Sequence, residues 1–271
     1  MNEIEMKQAI ESTFNTVASE YDCHALRFFA NAAGHMVEQL SLQGDEQVLD
    51  IACGTGRVAT CLAAALPEGG VWAVDLAQQM LDQATRRAQA AGLTNIHFEQ
   101  GDVDRLPIQA DTLDVISCGF GLFFLPDIHS SLAHVCRGLK PGGRFIFSTF
   151  TGDSFAPMSE MAFAALANYG IEPPTEMWRR LDTEEKHHKL LNESGFDEVS
   201  TQQQQCGYYL ANVEEWWDVL WNAGFRSLLM ALSEQQLEEF RAKHLAEVAE
   251  LATDKGIWLN IDVLISQGLR S

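Results

Sequence analysis

The sequence predicts a doubly wound α/β fold, in which helices cover both faces of a mostly parallel seven-stranded sheet. The first observation is that short apolar runs alternate with helical segments between residues 47 and 150. Strands joined through helices pair in parallel by right-handed crossovers. The second is the glycine-containing turn "CGTG" at 53–56, which joins the first apolar run to the first helix of this series. The 271 residues are enough for one large domain.

The elements follow from these patterns in chain order. The first forty residues are predicted to be helical, over 5–22 and 25–42, because apolar residues recur there at helical spacing. The predicted strands of the alternating region cover 47–53, 70–76, 95–102, 113–121 and 141–150. The predicted helices between them cover 57–66, 77–92 and 127–139, and the second of these ends at a glycine, a common C-cap.

The pattern loosens after residue 150. We expect a short helix around 158–170, a helix over 183–196, a strand over 197–209, helices over 212–225 and 233–252, and a last strand over 256–268. Residues 151–182, which contain Pro157, Pro173 and Pro174, and residues 209–252 are interpreted as helical insertions over one edge of the sheet. We therefore expect a single domain over 1–271, with a core at 46–150.

The chain is strongly acidic, with 38 Asp and Glu against 18 Lys and Arg and a net charge of −20. Such a surface repels nucleic acids and anionic membranes, so we expect neither as a partner. The six cysteines form no CxxC pair, which predicts no disulfide framework and no metal site. The polar start "MNEIEMKQAI" and the absence of an apolar run of about 18 residues predict a cytoplasmic protein.

The turn after the first strand predicts a ligand site. Gly54 and Gly56 suit a sharply bent backbone that a ligand approaches closely, and the helix that follows points free N–H groups at that ligand. With Ala59 they also match the GxGxxG/A spacing of dinucleotide-binding enzymes. A nicotinamide-dependent oxidoreductase is therefore an alternative at this point.

Acids at the ends of three strands favour a different ligand. Asp50 lies at the end of the first strand, where a carboxylate repels a pyrophosphate but suits an ammonium or a sulfonium. Asp75 ends the second strand and can accept hydrogen bonds from two ribose hydroxyls. Asp102 ends the third strand and can accept one from an adenine amino group. Together they predict a nucleoside that carries positive charge.

Five segments resemble, in order, the motifs of the class I S-adenosylmethionine-dependent methyltransferases, particularly the group around the ubiquinone and menaquinone enzymes. They are "VLDIACGTGRVA", "VWAVDLAQQML", "FEQGDVDRLP", "LDVISCGFGLFFLPD" and "LKPGGRFIFSTF". The opening "FNTVASEYD" is similar to the segment that closes over the cofactor in that group, which implies a helical lid over 1–45. The resemblance covers roughly residues 14–150, and the two insertions depart from the small quinone enzymes.

The resemblance implies a Rossmann-like methyltransferase fold, S-adenosylmethionine as cofactor and S-adenosylhomocysteine as product. It implies that the methionine part is held by Asp50, Ala52, Cys53, Gly54, Thr55 and Gly56. It implies that Asp75 binds the ribose, while the adenine lies among Leu76, Met80, Asp102 and Val103. It further implies that Cys118 and Gly119 offer backbone groups to the amino group and that Tyr21 lies over the sulfonium.

The sequence does not identify a catalytic base. Tyr21, His24 and His129 are the candidates, because they belong to the implied lid or follow the fourth strand on the ligand side. His187 is expected on a solvated helix face, and His244 on an exposed helix with no part in the site.

The acceptor is predicted to be a small molecule, hydrophobic or ring-bearing. The cluster of Trp216, Trp217 and Trp221 with Tyr208 and Tyr209 either packs the second insertion onto the sheet or lines the acceptor pocket. A module that binds the cofactor without turnover is a further alternative, and the net charge disfavours a nucleic-acid methyltransferase. The sequence does not indicate the oligomeric state.

Overall fold

A computed structural model describes residues 2–172 and 177–271. Pro173 and Pro174, which helped to mark the first insertion, lie outside the described residues. In the described part the strands are β1 (Gln47–Ile51), β2 (Gly70–Asp75), β3 (Ile96–Gln100), β4 (Leu113–Gly119), β5 (Leu139–Phe150), β6 (Phe196–Gln205), β7 (Tyr208–Leu210), β8 (Ile257–Leu259) and β9 (Asp262–Arg270).

The helices flank this framework and open the chain. They are α1 (Glu3–Val17), α2 (Phe28–Leu40), α3 (Arg57–Ala65), α4 (Gln78–Ala90), α5 (Ile128–Val135), α6 (Met158–Ala167), α7 (Glu184–Glu193), α8 (Val213–Asn222), α9 (Arg226–Leu229) and α10 (Glu234–Ala249). Short 3-10 turns cover His24–Leu26, Val103–Arg105, Leu122–Phe124, Cys136–Gly138 and Trp178–Leu181. None of the helices in these described ranges is long and apolar enough to cross a membrane.

The main sheet confirms the predicted fold class. Its seven strands lie in the order β3-β2-β1-β4-β5-β9-β6. Strands β1 to β5 pair in parallel, while β9 runs antiparallel to both of its neighbours. The strand order reverses between β1 and β4, and ligands of such sheets bind at the carboxyl ends of the strands beside that reversal.

Two predicted strands are each split between two sheets, so their prediction as single strands was wrong. Strand β6 continues into β7 only after a bend at Cys206 and Gly207, and β8 is separated from β9 by Asn260 and Ile261. The N–H of Cys206 donates to the carbonyl of Ile261 at 2.8 Å, so the two segments bend at the same place. Strands β7 and β8 then form a separate antiparallel pair.

Two histidines predicted to be exposed are completely buried. His187 of α7 forms hydrogen bonds with Ser266 Oγ at 2.6 Å and with Thr149 Oγ1 at 2.9 Å. His244 of α10 accepts a hydrogen bond from Trp216 Nε1 at 2.8 Å. Burial lowers the pKa of each imidazole to about 4. The prediction failed because these partners come from distant parts of the chain.

The segment 208–252, which begins one residue before the second predicted insertion, packs against the segment that leads into α2. The Tyr208 hydroxyl donates to the carbonyl of Ala25 at 2.6 Å, and the Arg27 guanidinium lies 3.5 Å from the Tyr208 ring centre. The Phe155 ring contacts both Phe28 and Phe225. Helices α6 and α10 also pack together, so the segments 151–182 and 209–252 contact one another.

Candidate functional site

A cleft opens at the carboxyl ends of β1, β2, β3 and β4. It encloses about 1090 Å³ of empty space, including its open mouth. Helix α1 forms one side of the cleft through Lys7, Ile10 and Phe14, and α2 contributes Phe29 and Ala33.

The turn after β1 forms the floor of the cleft. Ala52, Gly54 and Gly56 all have positive φ, of 51°, 54° and 76°. A Cβ placed on Gly54 meets no atom within 4 Å, so the position borders open space at the cleft. A Cβ on Gly56 would lie 2.8 Å from Ala84 Cβ, so this glycine permits the close packing of α3 on α4.

Asp50 is fully buried at the end of β1. Its Oδ1 accepts a 2.6 Å hydrogen bond from Ser117 Oγ, while its Oδ2 has no hydrogen-bond partner. Burial, opposed by the Ser117 hydrogen bond and aided by the nearby charge of Asp75, raises the pKa of Asp50 to about 7. A buried acceptor without a partner costs free energy, and a cationic donor in the cleft would remove that cost.

Asp75 fixes the turn from the end of β2. Its two oxygens accept hydrogen bonds from the backbone N–H groups of Gly54 at 2.8 Å and Ala77 at 2.9 Å. Burial raises the pKa of Asp75, and these backbone donors oppose the rise. Each oxygen retains acceptor capacity, because a carboxylate oxygen can accept about two hydrogen bonds.

Asp102, at the third strand end, is joined to the N-terminal helix. Lys7 Nζ lies 3.0 and 2.9 Å from the two oxygens of Asp102 and 2.5 Å from Asp104 Oδ2. Burial alone would lower the pKa of Lys7, but the hydrogen bonds to Asp104, Asp102 and Glu3 raise it. Helix α1 is therefore held across the cleft by charge-assisted hydrogen bonds.

The segment between α1 and α2 is held to the turn. The Tyr21 ring stacks on Phe29 with centres 5.1 Å apart, and it lines the cleft. The neighbouring Asp22 accepts hydrogen bonds from Thr55 Oγ1 at 3.0 Å, from Arg57 Nε at 2.9 Å and from Arg87. Burial, with the charges of Asp22 and Asp75, raises the pKa of Tyr21.

The structure brings most of the predicted binding residues together around the cleft. The lining includes Tyr21, Asp50, Ala52, Cys53, Gly54, Thr55, Asp75, Leu76, Met80, Asp102, Val103 and Gly119. Gly56 and Cys118 are not among the lining residues, since Gly56 packs against α4 and the Cys118 side chain is fully buried. These positions describe geometry, and the binding roles stay predictions.

The two histidine candidates lie elsewhere. His24 is exposed in the 3-10 turn before α2, and His129 is exposed on α5, where its Nε2 lies 3.7 Å from a Glu193 carboxylate oxygen. Neither is among the residues that line the cleft. In the described part of the chain, no group of three or more His, Cys, Asp or Glu could hold a metal ion.

Sequence reasoning missed about half of the residues that line the cleft, most of them apolar. The missed residues are Lys7, Ile10, Phe14, Phe29, Ala33, Arg57, Val58, Gly101, Phe120, Gly121, Phe124, Leu125 and Pro126. Helical spacing puts Ile10 and Phe14 on one face of α1, a signal that could have identified them. Phe120 gave no such signal. It follows β4 with a positive φ of 55°, and no pattern in the sequence indicates that backbone conformation.

Comparison with known proteins places this geometry in a family. The sequence profile of the methyltransferase domain matches residues 48–143. A malonyl-[acyl-carrier protein] O-methyltransferase of Paenibacillus sp. is 31% identical over 206 residues, which cover 73% of this chain and 74% of that relative. A demethylmenaquinone methyltransferase of Shouchella clausii is 30% identical over 145 residues, which cover 52% of this chain and 62% of that relative.

A solved structure agrees with these relatives. The YcgJ protein of Bacillus subtilis superposes with a TM-score of 0.60 at 19% identity, covering 89% of this chain and 98% of that one. At that identity the likeness shows the fold alone. Fold and relatives together define a methyl-transferring enzyme with a Rossmann-like sheet. The chain belongs to the S-adenosylmethionine-dependent methyltransferases, as its motifs predicted.

Proposed function

We propose that the cleft binds S-adenosylmethionine and that the enzyme methylates a small acceptor that is hydrophobic or carries a ring. The observation that carries the proposal is the fully buried Asp50, whose Oδ2 has no hydrogen-bond partner at the cleft. The ammonium of the cofactor's methionine part supplies a donor of the charge this oxygen favours. The open space next to Gly54 provides room for that part of the cofactor.

The other predicted roles fit the same placement. Asp75 would accept hydrogen bonds from the ribose hydroxyls with the acceptor capacity that its backbone donors leave free. Leu76, Met80 and Val103 would surround the adenine, and Asp102 would accept from its amino group while bound to Lys7. Gly119 would offer backbone groups at the end of β4.

The cofactor, when bound, supplies an activated methyl group on sulfur. The chain's own task is then to place the acceptor in line and to exclude water. Tyr21, held by stacking on Phe29, would cover the reacting end of the cleft. Its raised pKa keeps the phenol protonated, so we propose that it acts by packing and not as a base.

The acceptor class follows from the aromatic side of the cleft. Phe29 contacts Phe120 edge to face with ring centres 5.2 Å apart, and Phe120 stacks on Phe150 at 4.4 Å. This arrangement gives a firm apolar surface for a ring or a short hydrocarbon. The two curated relatives differ in the acceptors that their names give, so we rest the proposal on the cleft.

The segments 151–182 and 209–252 belong to the same single domain in this proposal. The residues that line the cleft lie between 7 and 126, so within the described part of the chain the insertions contribute none of them. We infer that they shape the acceptor side indirectly, by supporting the segment around Tyr21 and Phe29 and the aromatic core behind Phe120.

The test is a turnover screen. The enzyme is incubated with S-adenosylmethionine and a panel of small phenols, aromatic amines and hydrophobic acids, and S-adenosylhomocysteine formation is measured. Polar acceptors of the same size, such as sugars and glycerol, serve as matched controls. Transfer to ring-bearing or apolar acceptors above the polar controls supports the proposal. Transfer to the polar set alone contradicts the acceptor class, and failure to bind S-adenosylmethionine contradicts the cofactor.

A further inference from the structure

Arg180, in the first insertion, binds the backbone of a loop that lines the cleft. Arg180 lies half-buried in the 3-10 turn Trp178–Leu181. Its Nη1 donates to the carbonyls of Phe123 at 3.1 Å and Leu125 at 2.6 Å, and its Nη2 donates to the carbonyl of Pro126 at 3.2 Å. One guanidinium therefore binds three carbonyls within four residues.

These carbonyls belong to the loop between β4 and α5. The same loop contributes Phe124, Leu125 and Pro126 to the lining of the cleft. Its own backbone bonds are few: the N–H of Phe124 donates to Gly121 and that of Leu125 to Leu122, in a single 3-10 turn. Carbonyls of so short a turn need partners outside it, and the planar fork of an arginine can serve several at once.

The 3-10 turn that carries Arg180 is itself held by hydrogen bonds. The carbonyl of Leu181 accepts a 2.6 Å hydrogen bond from Thr149 Oγ1 of β5 and lies 2.9 Å from Nε2 of the buried His187. Lys186 Nζ donates to the carbonyl of Arg179 at 2.6 Å. The guanidinium thus projects from a turn held by the sheet and by α7, so it can fix the loop in one position.

The positive charge of Arg180 interacts with the negative charge of Asp127. Burial lowers its pKa, opposed by the charge of Asp127, but an arginine remains protonated at neutral pH. Asp127 caps α5 by accepting a hydrogen bond from the N–H of Ser130 at 3.0 Å. The loop is consequently fixed at its end by the cap and along its length by the guanidinium.

We propose that Arg180 is a positioning residue for the methyl-transfer site, through which the first insertion holds the Phe124–Pro126 wall in its binding position. This role rests on the proposed function of the cleft. Arg180 acts through the loop backbone and is not itself among the lining residues. The insertion thereby affects the site although none of its described side chains enters the cleft.

The experiment compares wild type with Arg180→Met, Arg180→Lys and the control Arg86→Met. Arg86 is an exposed arginine of α4, so the control makes the same charge change away from the loop. Hydrogen exchange of the backbone N–H groups within residues 121–127, of which Pro126 has none, is measured on the full chain, with and without S-adenosylhomocysteine. Affinity for S-adenosylhomocysteine is measured by calorimetry, and the melting temperature monitors the fold.

We expect Arg180→Met to speed exchange of residues 121–127 by about tenfold or more, because several charge-assisted hydrogen bonds are lost together. Arg180→Lys should fall between, since an ammonium cannot form the planar fork. Arg86→Met should match wild type. Affinity for S-adenosylhomocysteine should be lowest in Arg180→Met and intermediate in Arg180→Lys. Displacement of the Phe124–Pro126 wall reduces the fraction of molecules that can bind the ligand.

Wild-type exchange of 121–127 in Arg180→Met would overturn the role, as would faster exchange spread evenly over the strands of the sheet. Unchanged affinity in that variant would also overturn it. If Arg180→Met does not fold, Arg180→Lys decides alone by the same comparison. If wild type does not bind S-adenosylhomocysteine, the proposed function fails, while the exchange data still report whether Arg180 holds the loop.

Discussion

Asp50 and Asp75 show how two identical side chains at neighbouring strand ends acquire different properties. Asp75 accepts two backbone N–H groups, which stabilise its charged form against burial. Asp50 has one hydroxyl donor and one oxygen without a partner. Asp75 thus holds the turn through two backbone donors of its own chain, whereas we expect Asp50 to gain its missing donor only from a ligand.

Replacing Asp75 by alanine should weaken binding of S-adenosylhomocysteine by about 2–3 kcal/mol, because a charged acceptor for ribose hydroxyls is lost. This corresponds to roughly 30- to 150-fold in Kd. The measurement is calorimetric titration of folded protein. The control is Asp82→Ala, which removes an exposed acid of α4 that accepts from Gln78. Equal affinities of wild type and Asp75→Ala would contradict the ribose assignment.

The raised pKa of Asp50 predicts that the free energy of unfolding, measured without ligand, depends on pH. The carboxyl has a pKa of 3.8 as its ordinary value and about 7 in the fold. The folded state therefore holds a proton that the unfolded chain has released, so stability falls as the pH rises from about 4 to 7 and stays reduced above 7. Above pH 7 the folded protein is therefore less stable than at pH 4, and in the same pH range Asp50 carries the charge that could pair with a cationic ligand.

Asp50→Asn should remove this cost without removing the acceptor for Ser117. At pH 8 we expect the variant to be more stable than wild type by roughly 2–4 kcal/mol, with a gap that narrows steadily towards pH 4. Urea unfolding at several pH values, without ligand, measures the gap. The exposed Asp82→Asn provides the comparison. A gap for Asp50→Asn that is the same at pH 8 and pH 5 would refute the raised pKa.

The strands and helices of the first half were predictable, because parallel strands are short apolar runs and the helices between them have their own periodicity. The second half was predicted less well. The runs 197–209 and 256–268 continue in sequence while the chain leaves one sheet for another at Cys206 and Ile261. That bend depends on a contact between distant residues, and no local pattern contains it.

The turn between β1 and α3 gives a sharp prediction at the scale of an element. Gly54→Val places a side chain in the open space of the cleft and adds strain at φ 54°, so binding of S-adenosylhomocysteine should be lost from a folded protein. Gly142→Val is the matched control: it has φ 77°, and its Cβ also meets nothing within 4 Å, but it lies outside the cleft.

Both variants should lose similar stability in thermal unfolding, on the order of 1–3 kcal/mol, because both force a branched residue into a left-handed conformation. Calorimetry should show binding in Gly142→Val and none in Gly54→Val. Normal binding by Gly54→Val would mean that this turn does not hold the ligand, and loss of binding in both variants would point to strain in place of occlusion.

The molecule as a whole combines an acidic chain with a cleft in which cations are already paired. The net charge is −20, and the lining residues Lys7 and Arg57 are bound to Asp102 and Asp22. The sequence showed the three acids at the strand ends. It could not show these pairings or Arg180, since each joins residues tens of positions apart. From the positions of these acids we nevertheless predict that the cleft prefers a cationic group.

The cleft should therefore discriminate by charge between ligands that contain a nucleoside. S-adenosylmethionine and S-adenosylhomocysteine both carry the ammonium that Asp50 favours, so both should bind, and loss of the methyl group should not abolish affinity. NAD would place its pyrophosphate near Asp50 with the lining cations already engaged, a penalty of several kcal/mol in a buried site. Titration of wild type and Asp50→Asn with all three ligands tests this.

In Asp50→Asn, binding of both methionine-bearing ligands should weaken by about tenfold or more, because a charged partner of the ammonium becomes a neutral amide. NAD should still bind poorly, since removing the acid supplies no group that binds phosphate. The variant that is more stable without ligand is thus the weaker binder. Tight binding of NAD by wild type would contradict the assignment of the cleft, and unchanged affinities in Asp50→Asn would contradict the role of that carboxylate.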